Sequence, residues 1–293
     1  MKVFVPYHIS GVWKPIVSRD PVESGSLGIG IVLSSGVTIS TEPIDGGCEL
    51  ELDPTTRTVL KLMGVSEGAL PKLWIKEDRP LGYGYGASAS RALALSLLIE
   101  VLMGKGSFCR AGEVAHVAEV ICGSGLGDVI AEALGMGIAV RLRHGPPCKG
   151  IVDSFIPKRI YTVITVPLGR MTTSEMHAVY GDRIARFSQR FIEMFLESPS
   201  IHRFVEVSHL FSKEVGFLTK DLEERVSKAL AKYLSVGVVL GFFIKKKLLV
   251  VIAEKDYEVD VASALRKELG IEPFIDLLGI RRTVVSFVDS VPR

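Results

Sequence analysis

Eleven residues from Pro80 to Ser90, Pro-Leu-Gly-Tyr-Gly-Tyr-Gly-Ala-Ser-Ala-Ser, set three alternating glycines directly ahead of small hydroxyl residues and a strongly apolar run. Glycine lets the backbone approach an anion closely and adopt positive φ, and the free amides and dipole of a helix start favour phosphate. The candidate phosphate ligands are Pro80, Gly82, Gly84, Gly86, Ala87, Ser88, Ala89 and Ser90. Ser88 or Ser90 is placed to cap the helix, and a hydroxyl there can bind a Mg²⁺ that accompanies nucleotide phosphates. Gly82, Gly84 and Ala87 also fit the spacing of a dinucleotide fingerprint. That fingerprint needs a buried strand just before it, whereas Leu73 to Pro80 is charged and interrupted by proline. Gly104-Lys105-Gly106-Ser107 lacks the upstream glycine of a Walker A loop. A plain structural turn stays open.

A second constellation runs from Glu119 through Cys-Gly-Ser-Gly-Leu-Gly to Asp128. Phosphoryl transfer needs one carboxylate to hold Mg²⁺ and often another to orient or deprotonate the attacking hydroxyl, and two carboxylates parted by one glycine-rich loop suit it. The bland alternatives are a helix cap at Asp128 and a solvated helix residue at Glu119. Beyond it, Arg141 and Arg143 fall on one face of a short strand by period-two alternation, a candidate grip for an anionic substrate. Arginines on a strand rim are an equally ordinary reading.

These groups need elements to carry them. Residues 3–10, 28–40 and 46–53 read as strands, rich in β-branched residues and bounded by turns. The first convincing helix starts at Ser88 and is apolar on most faces, so it is buried; a second spans 111–122. After a loop near 148–157 comes a strand at 160–168, helix-period segments over 172–232, a hairpin of strands 235–244 and 248–253, a helix ending at Gly270 and a last strand at 283–288. Lys245 to Lys247 read as a solvated hairpin tip. The domains are placed at 1–155 and 156–293.

The chain has 293 residues, 47% hydrophobic and 23% charged, enough for one large or two ordinary domains. A formal charge of +2 gives no electrostatic case for nucleic acid or an anionic membrane as partner. Cys48, Cys109, Cys122 and Cys148 lie far apart with no CxxC pair, which reads as buried free thiols rather than zinc ligands. The start lacks a signal-peptide core, and no segment approaches the roughly 20 apolar residues of a membrane span, so a soluble, cytoplasmic protein is expected.

Pro80 to Ser90 is similar to the second, ATP-binding motif of the GHMP kinase superfamily, which contains galactokinase, homoserine kinase and mevalonate kinase. Within it, residues 8–15 (HISGVWKP), 23–34 (ESGSLGIGIVLS), 115–120 (AHVAEV) and 123–147 (GSGLGDVIAEALGMGIAVRLRHGPP) most resemble the archaeal pantoate kinases. The resemblance covers most of residues 1–150. It implies an α+β fold, with an N-terminal domain like ribosomal protein S5 domain 2 that binds ATP and a ferredoxin-like C-terminal domain. It also implies transfer of the ATP γ-phosphate to the 4-hydroxyl of pantoate, on the way to coenzyme A.

Carried over by position, Ser88 and Glu119 would bind Mg²⁺ and ATP, and Asp128 would orient or deprotonate the hydroxyl. Arg141, or Arg143, would meet the pantoate carboxylate. His8, Ser10 and Gly11 fall in the first motif, on the substrate side, where many superfamily members have a lysine at the position of His8. The third motif should fall near residues 235–241, where the match is poor. The partners implied are ATP and pantoate, with a homodimer open and neither nucleic acid nor membrane involved. The rival readings are another activity of the superfamily, of mevalonate, homoserine or shikimate type, and a non-catalytic regulator on the same fold.

Overall fold

The structure is a computed structural model that describes residues 1–279 and 282–287. Two long strands form its first sheet: β1 (Lys2–Ile16) and β2 (Gly25–Ser40) pair antiparallel along nearly their whole length. β2 is long enough to serve two further neighbours. Its end at 37–40 pairs with β4 (Trp74–Glu77), beside which lies the two-residue β3 (Cys48–Glu49). Its start at 28–31 pairs with β5 (Ile138–Arg143), followed by β6 (Ile151–Phe155). All these pairs are antiparallel, so β4 is a strand after all but not the parallel strand that a dinucleotide fold requires.

The strand expected over 46–53 stops at Glu49 because Asp53 and Pro54 start a helix that the sequence reading missed, α1 (Pro54–Met63). Asp53 accepts from the amides of Thr55 and Thr56 while the Thr56 hydroxyl accepts from the Asp53 amide, a reciprocal cap. Gly64, left-handed at φ 69, ends it. α2 (Ala87–Leu102) is buried over most of its length between the sheet and helices α1 and α3 (Phe108–Ile121), as its all-round apolarity required, and its C-terminal end reaches the surface at Leu102. α4 (Asp128–Leu134) then leads into β5.

From Tyr161 the chain builds a second sheet. Strands β7 (Tyr161–Pro167), β8 (Val239–Lys245), β9 (Leu248–Glu254) and β10 (Phe274–Leu277) lie in the order β10-β7-β9-β8. Helix α5 (Thr173–Glu197) follows β7 and α8 (Glu258–Leu269) follows β9. This is the βαββαβ arrangement of a ferredoxin-like fold, with α6 (Ile201–Val215) and α7 (Lys220–Ser235) added before β8. β10 was not anticipated. The strand expected at 283–288 forms as β11 (Val284–Ser286) but pairs with β1, back in the first sheet, and Val288 lies outside the described residues.

Two junctions, among others, join the halves. On one, α5 and α6 pack on β1: Trp13 meets Phe211 edge-on and stacks on Phe217, and Gly11 lies against Phe204 and Ser208. On the other, Asp276 of β10 pairs with Arg79 at 2.6 Å and accepts from the Ser34 hydroxyl at 2.6 Å. The cysteines also differ from expectation. Cys109 and Cys148 are joined in a disulfide, tying the start of α3 to the loop after β5, Cys48 is exposed and Cys122 is half-buried. The spacing of 39 residues carried no hint of pairing, because topology alone brings that loop over α3.

A methyl on Gly11 would collide with the Ser208 hydroxyl and lie 2.7 Å from the Phe204 ring. Gly11→Ala should therefore destabilise the protein by about 1–3 kcal/mol through overpacking, read as a lower thermal midpoint by calorimetry. An unchanged midpoint would show that α6 does not seat on β1 as described.

Candidate active site

A cavity of ≈ 460 Å³ opens where the two halves meet, within the size range of small-ligand sites. One wall is the loop before α2. Gly82, Gly84 and Gly86 all adopt positive φ (89°, 98° and 79°), a conformation that other residues reach only with strain. Gly86 occupies the N-cap of α2 without any side-chain cap, which leaves the first helical amides facing the cavity. Neither serine caps the helix, contrary to the sequence reading. Two residues on a helix turn through about 200°, so Ser88 and Ser90 part company. Ser88 lines the cavity, whereas Ser90 is fully buried and donates to the Pro6 carbonyl. Of the other candidates in the loop, Gly82, Gly84, Gly86 and Ala87 line the cavity, while Pro80 and Ala89 do not.

The loop is held from both halves. The His8 amide donates to the Tyr85 carbonyl at 3.1 Å and the Met171 amide to the Gly82 carbonyl at 3.3 Å. β1 can spare the His8 amide because its pairing with β2 shifts register between Pro6 and His8 and again between Ser10 and Val12. The two bulges frame His8 and Ser10, re-aiming them towards the site.

Facing the loop are the two carboxylates. Glu119, near the end of α3 and almost fully buried, accepts from the Ser88 hydroxyl at 2.5 Å and the Ser124 hydroxyl at 2.6 Å. Burial pushes its carboxyl up to about 7, with the two hydroxyl bonds opposing. Asp128 is the first residue of α4 rather than its cap. Burial would raise its carboxyl, but Lys245, His8 and Arg141 outweigh burial and hold it well below the usual carboxylate range. The glycines of the intervening loop make room: a methyl on Gly125 would collide with Glu119 Oε2, and one on Gly127 with the Ser26 hydroxyl.

Behind Asp128 runs a chain of buried polar groups. His8 Nδ1 lies 2.7 Å from Asp128 Oδ1, and His8 Nε2 lies 3.2 Å from Arg141 Nη1. A guanidinium only donates, so Nε2 accepts and the proton sits on Nδ1, donated to Asp128. Burial, first, and the neighbouring cations pull His8 down to about 4, in keeping with this neutral tautomer. Both ring nitrogens are thus engaged. Arg141 donates its Nη2 to the Ser10 hydroxyl at 3.3 Å, is 2% exposed, and has no carboxylate within ion-pair distance among the described residues. Burial pulls it to about 10. Arg143 does not join it: a bulge between 141 and 143 breaks the alternation, and the exposed Arg143 donates to the Lys149 carbonyl. The same-face reading of the two arginines is therefore corrected, because period two does not survive an inserted residue.

Two cations escaped sequence reading. Lys245, taken for part of a solvated tip, is 5% exposed, lines the cavity and lies 3.8 Å from Asp128 Oδ1. Lys246 also lines it and donates to the Thr173 hydroxyl at 2.9 Å, which in turn donates to the Ser124 carbonyl at 2.5 Å. The usable signal was strand parity, since Lys245 shares a face with the fully buried Phe243. Residues 235–241 do not line the cavity. Ser88, Glu119 and Ser124 offer hard oxygen atoms beside the glycine loop, a donor set that fits a Mg²⁺ held by one carboxylate and completed by further oxygen ligands.

No protein-family model matches the sequence. A pantoate kinase of Thermococcus kodakarensis is 31% identical over 291 residues, covering 92% of this chain and 93% of its own. A solved phosphotransferase related to the CoA biosynthesis pathway superposes with a TM-score of 0.77 at 26% identity, covering 97% of both chains. The mevalonate-3-kinase of Thermoplasma acidophilum, solved with mevalonate 3-phosphate and ADP, superposes with a TM-score of 0.65 over 96% of both chains; at 11% identity it shares the fold.

Because Glu119 titrates near 7 when folded and near its usual 4.5 when unfolded, the folded state keeps a proton that the unfolded chain has lost between those values. Its share of stability is present below 4.5 and is lost as pH rises through 7. Glu119→Gln, which cannot ionise, should therefore raise the thermal midpoint relative to wild type more at pH 8 than at pH 5, without nucleotide or divalent metal. A mutant-to-wild-type difference independent of pH would contradict this assignment.

Proposed function

The chain belongs to the pantoate kinase family, and from that premise we propose that it transfers the γ-phosphoryl group of ATP to the 4-hydroxyl of pantoate, yielding 4-phosphopantoate and ADP. The observation that carries the reading is that one cavity holds the three-glycine loop, the Ser88–Glu119 pair and Asp128. In this reading residues 1–155 form the ATP-binding domain and the second sheet with its helices, β7 to β10, the ferredoxin-like domain, while β11 returns to the first sheet, and the enzyme works in the cytoplasm.

The chemistry is one of positioning. The amides of the Gly82–Gly86 loop and of the first turn of α2 cradle the phosphates. Mg²⁺, held by Ser88 and Glu119, would offset phosphate charge when bound. Asp128 orients the pantoate hydroxyl. Its bond to the His8 Nδ1–H occupies Oδ1 and leaves Oδ2 as the acceptor for the hydroxyl proton. As the new O–P bond forms and the bond from phosphorus to the bridging oxygen breaks, that proton passes to Asp128 and ADP departs. Arg141 carries a buried positive charge with no carboxylate within ion-pair distance among the described residues; it does not itself line the cavity, and its charge reaches the pantoate carboxylate through Ser10, which does line it. His8 acts from behind, between Arg141 and Asp128.

Release of ADP with ATP and Mg²⁺ should occur with pantoate and not with mevalonate, homoserine, shikimate or pantothenate; turnover of one of those acids in place of pantoate would overturn the substrate assignment. Asp128→Asn should lower kcat by about 10²–10⁴-fold with nucleotide affinity nearly unchanged, and unaltered turnover would remove Asp128 from its role. Glu119→Ala should raise the Mg²⁺ concentration needed for half-maximal rate, measured by titration at fixed ATP.

A further inference from the structure

Among the described residues, Lys245 is the lysine or arginine that lines the cavity and also stands within 4 Å of the carboxylate meeting the acceptor hydroxyl. Arg141 lies behind Ser10 and Gly127, with two of its nitrogens engaged by His8 and Ser10. Lys246 is tied to Thr173. The position beside Asp128 on β1 is filled by neutral His8, which brings a proton donor but no charge.

The backbone around Lys245 is fixed where such a cation would be needed. Lys245 pairs with Leu248 across the hairpin, and its carbonyl lies 3.5 Å from where a Cβ on Gly84 would stand. The hairpin therefore packs directly on the phosphate loop. A hydroxyl bound to Asp128 sits about 3 Å from the carboxylate and attacks a phosphorus about 3–3.5 Å further on. The Lys245 ammonium, 3.8 Å from that same carboxylate, is within reach of oxygens on the phosphorus. Burial pulls the ammonium below its usual range and Asp128 opposes; a phosphoryl group alongside adds negative charge that favours the protonated form.

We propose that Lys245, brought in by the second sheet, is a catalytic residue that contacts the transferring phosphoryl group opposite the Gly82–Gly86 loop and offsets the charge on its oxygens. The inference rests on the kinase reading above. It assigns the three consecutive lysines separate tasks: Lys245 to the reacting group, Lys246 to the joint between hairpin and α5, and the exposed Lys247 to solvent.

Lys245→Met keeps the apolar stem and removes the charge. It should lower kcat by about 10²–10³-fold, with ADP binding by calorimetry close to wild type, which also reports that the variant is folded. With pantoate, Mg²⁺ and aluminium fluoride present, wild-type protein should bind ADP far more tightly than ADP alone, because the planar fluoride mimics the transferring group. Lys245→Met should lose that gain. Lys245→Arg should recover part of the rate, and Lys247→Met should match wild type. A Lys245→Met enzyme within threefold of wild-type kcat that still forms the tight fluoride complex would overturn the inference. The pantoate reading fails separately, by wild-type turnover of a different hydroxy acid, and the Lys245 comparison is then made with that acid.

Discussion

Asp128 is an ionised carboxylate, mostly buried on the wall of the cavity, and most of the site can be understood as the means of keeping it so. A carboxylate taken out of water takes up a proton unless positive charge or hydrogen bonds compensate. Here the compensation comes from both halves of the chain: the His8 Nδ1–H at 2.7 Å, Lys245 at 3.8 Å and Arg141 one step behind. Glu119 shows the contrast. Its partners are hydroxyls rather than cations, and burial pushes it up to about 7. Two carboxylates flanking one glycine loop thus differ in basicity because their neighbours differ.

The same constraint explains where glycine is required. Gly86 needs a left-handed backbone, and its missing side chain leaves space for the buried Glu132 carboxyl beneath the phosphate loop. Gly125 and Gly127 let the loop close over Glu119 and Ser26. A side chain at Gly86 or Gly125 would push a carboxylate out of place, and one at Gly127 would displace the Ser26 hydroxyl and crowd Arg141.

Much of this was legible in the residues. The alternating glycines before an all-apolar helix marked one wall of the cavity, and the Glu119 to Asp128 spacing marked the carboxylates facing it, because both depend on local geometry within a few residues. Most of what escaped depends on contacts distant in sequence, α1 being the exception. α1 was passed over although Asp53, Pro54 and Gly64 are ordinary start and stop signals, since the apolar residues between 48 and 52 read as a strand. The Arg141–Arg143 pair was misread because a bulge is set by pairing with β6. The Cys109–Cys148 bond and the return of β11 to the first sheet are topological facts with no local trace.

Lys245 left a faint local trace in strand parity, but its place beside Asp128 is likewise set by topology, and its origin matters for how the site is assembled. The glycine loop, Glu119, Asp128, His8 and Arg141 all come from the first half of the chain, so that half by itself would bring these side chains together but leave Asp128 short of positive charge. The cation arrives only when the β8–β9 hairpin seats against Gly84 and Lys246 reaches Thr173. The Thr173 hydroxyl continues the contact to the carbonyl of Ser124, whose side chain holds Glu119. Docking of the second sheet therefore delivers a charge to one carboxylate and steadies the loop that positions the other. An interface built this way couples the integrity of the junction to the ionisation of the site, so a change that loosens the hairpin would be felt first at Asp128.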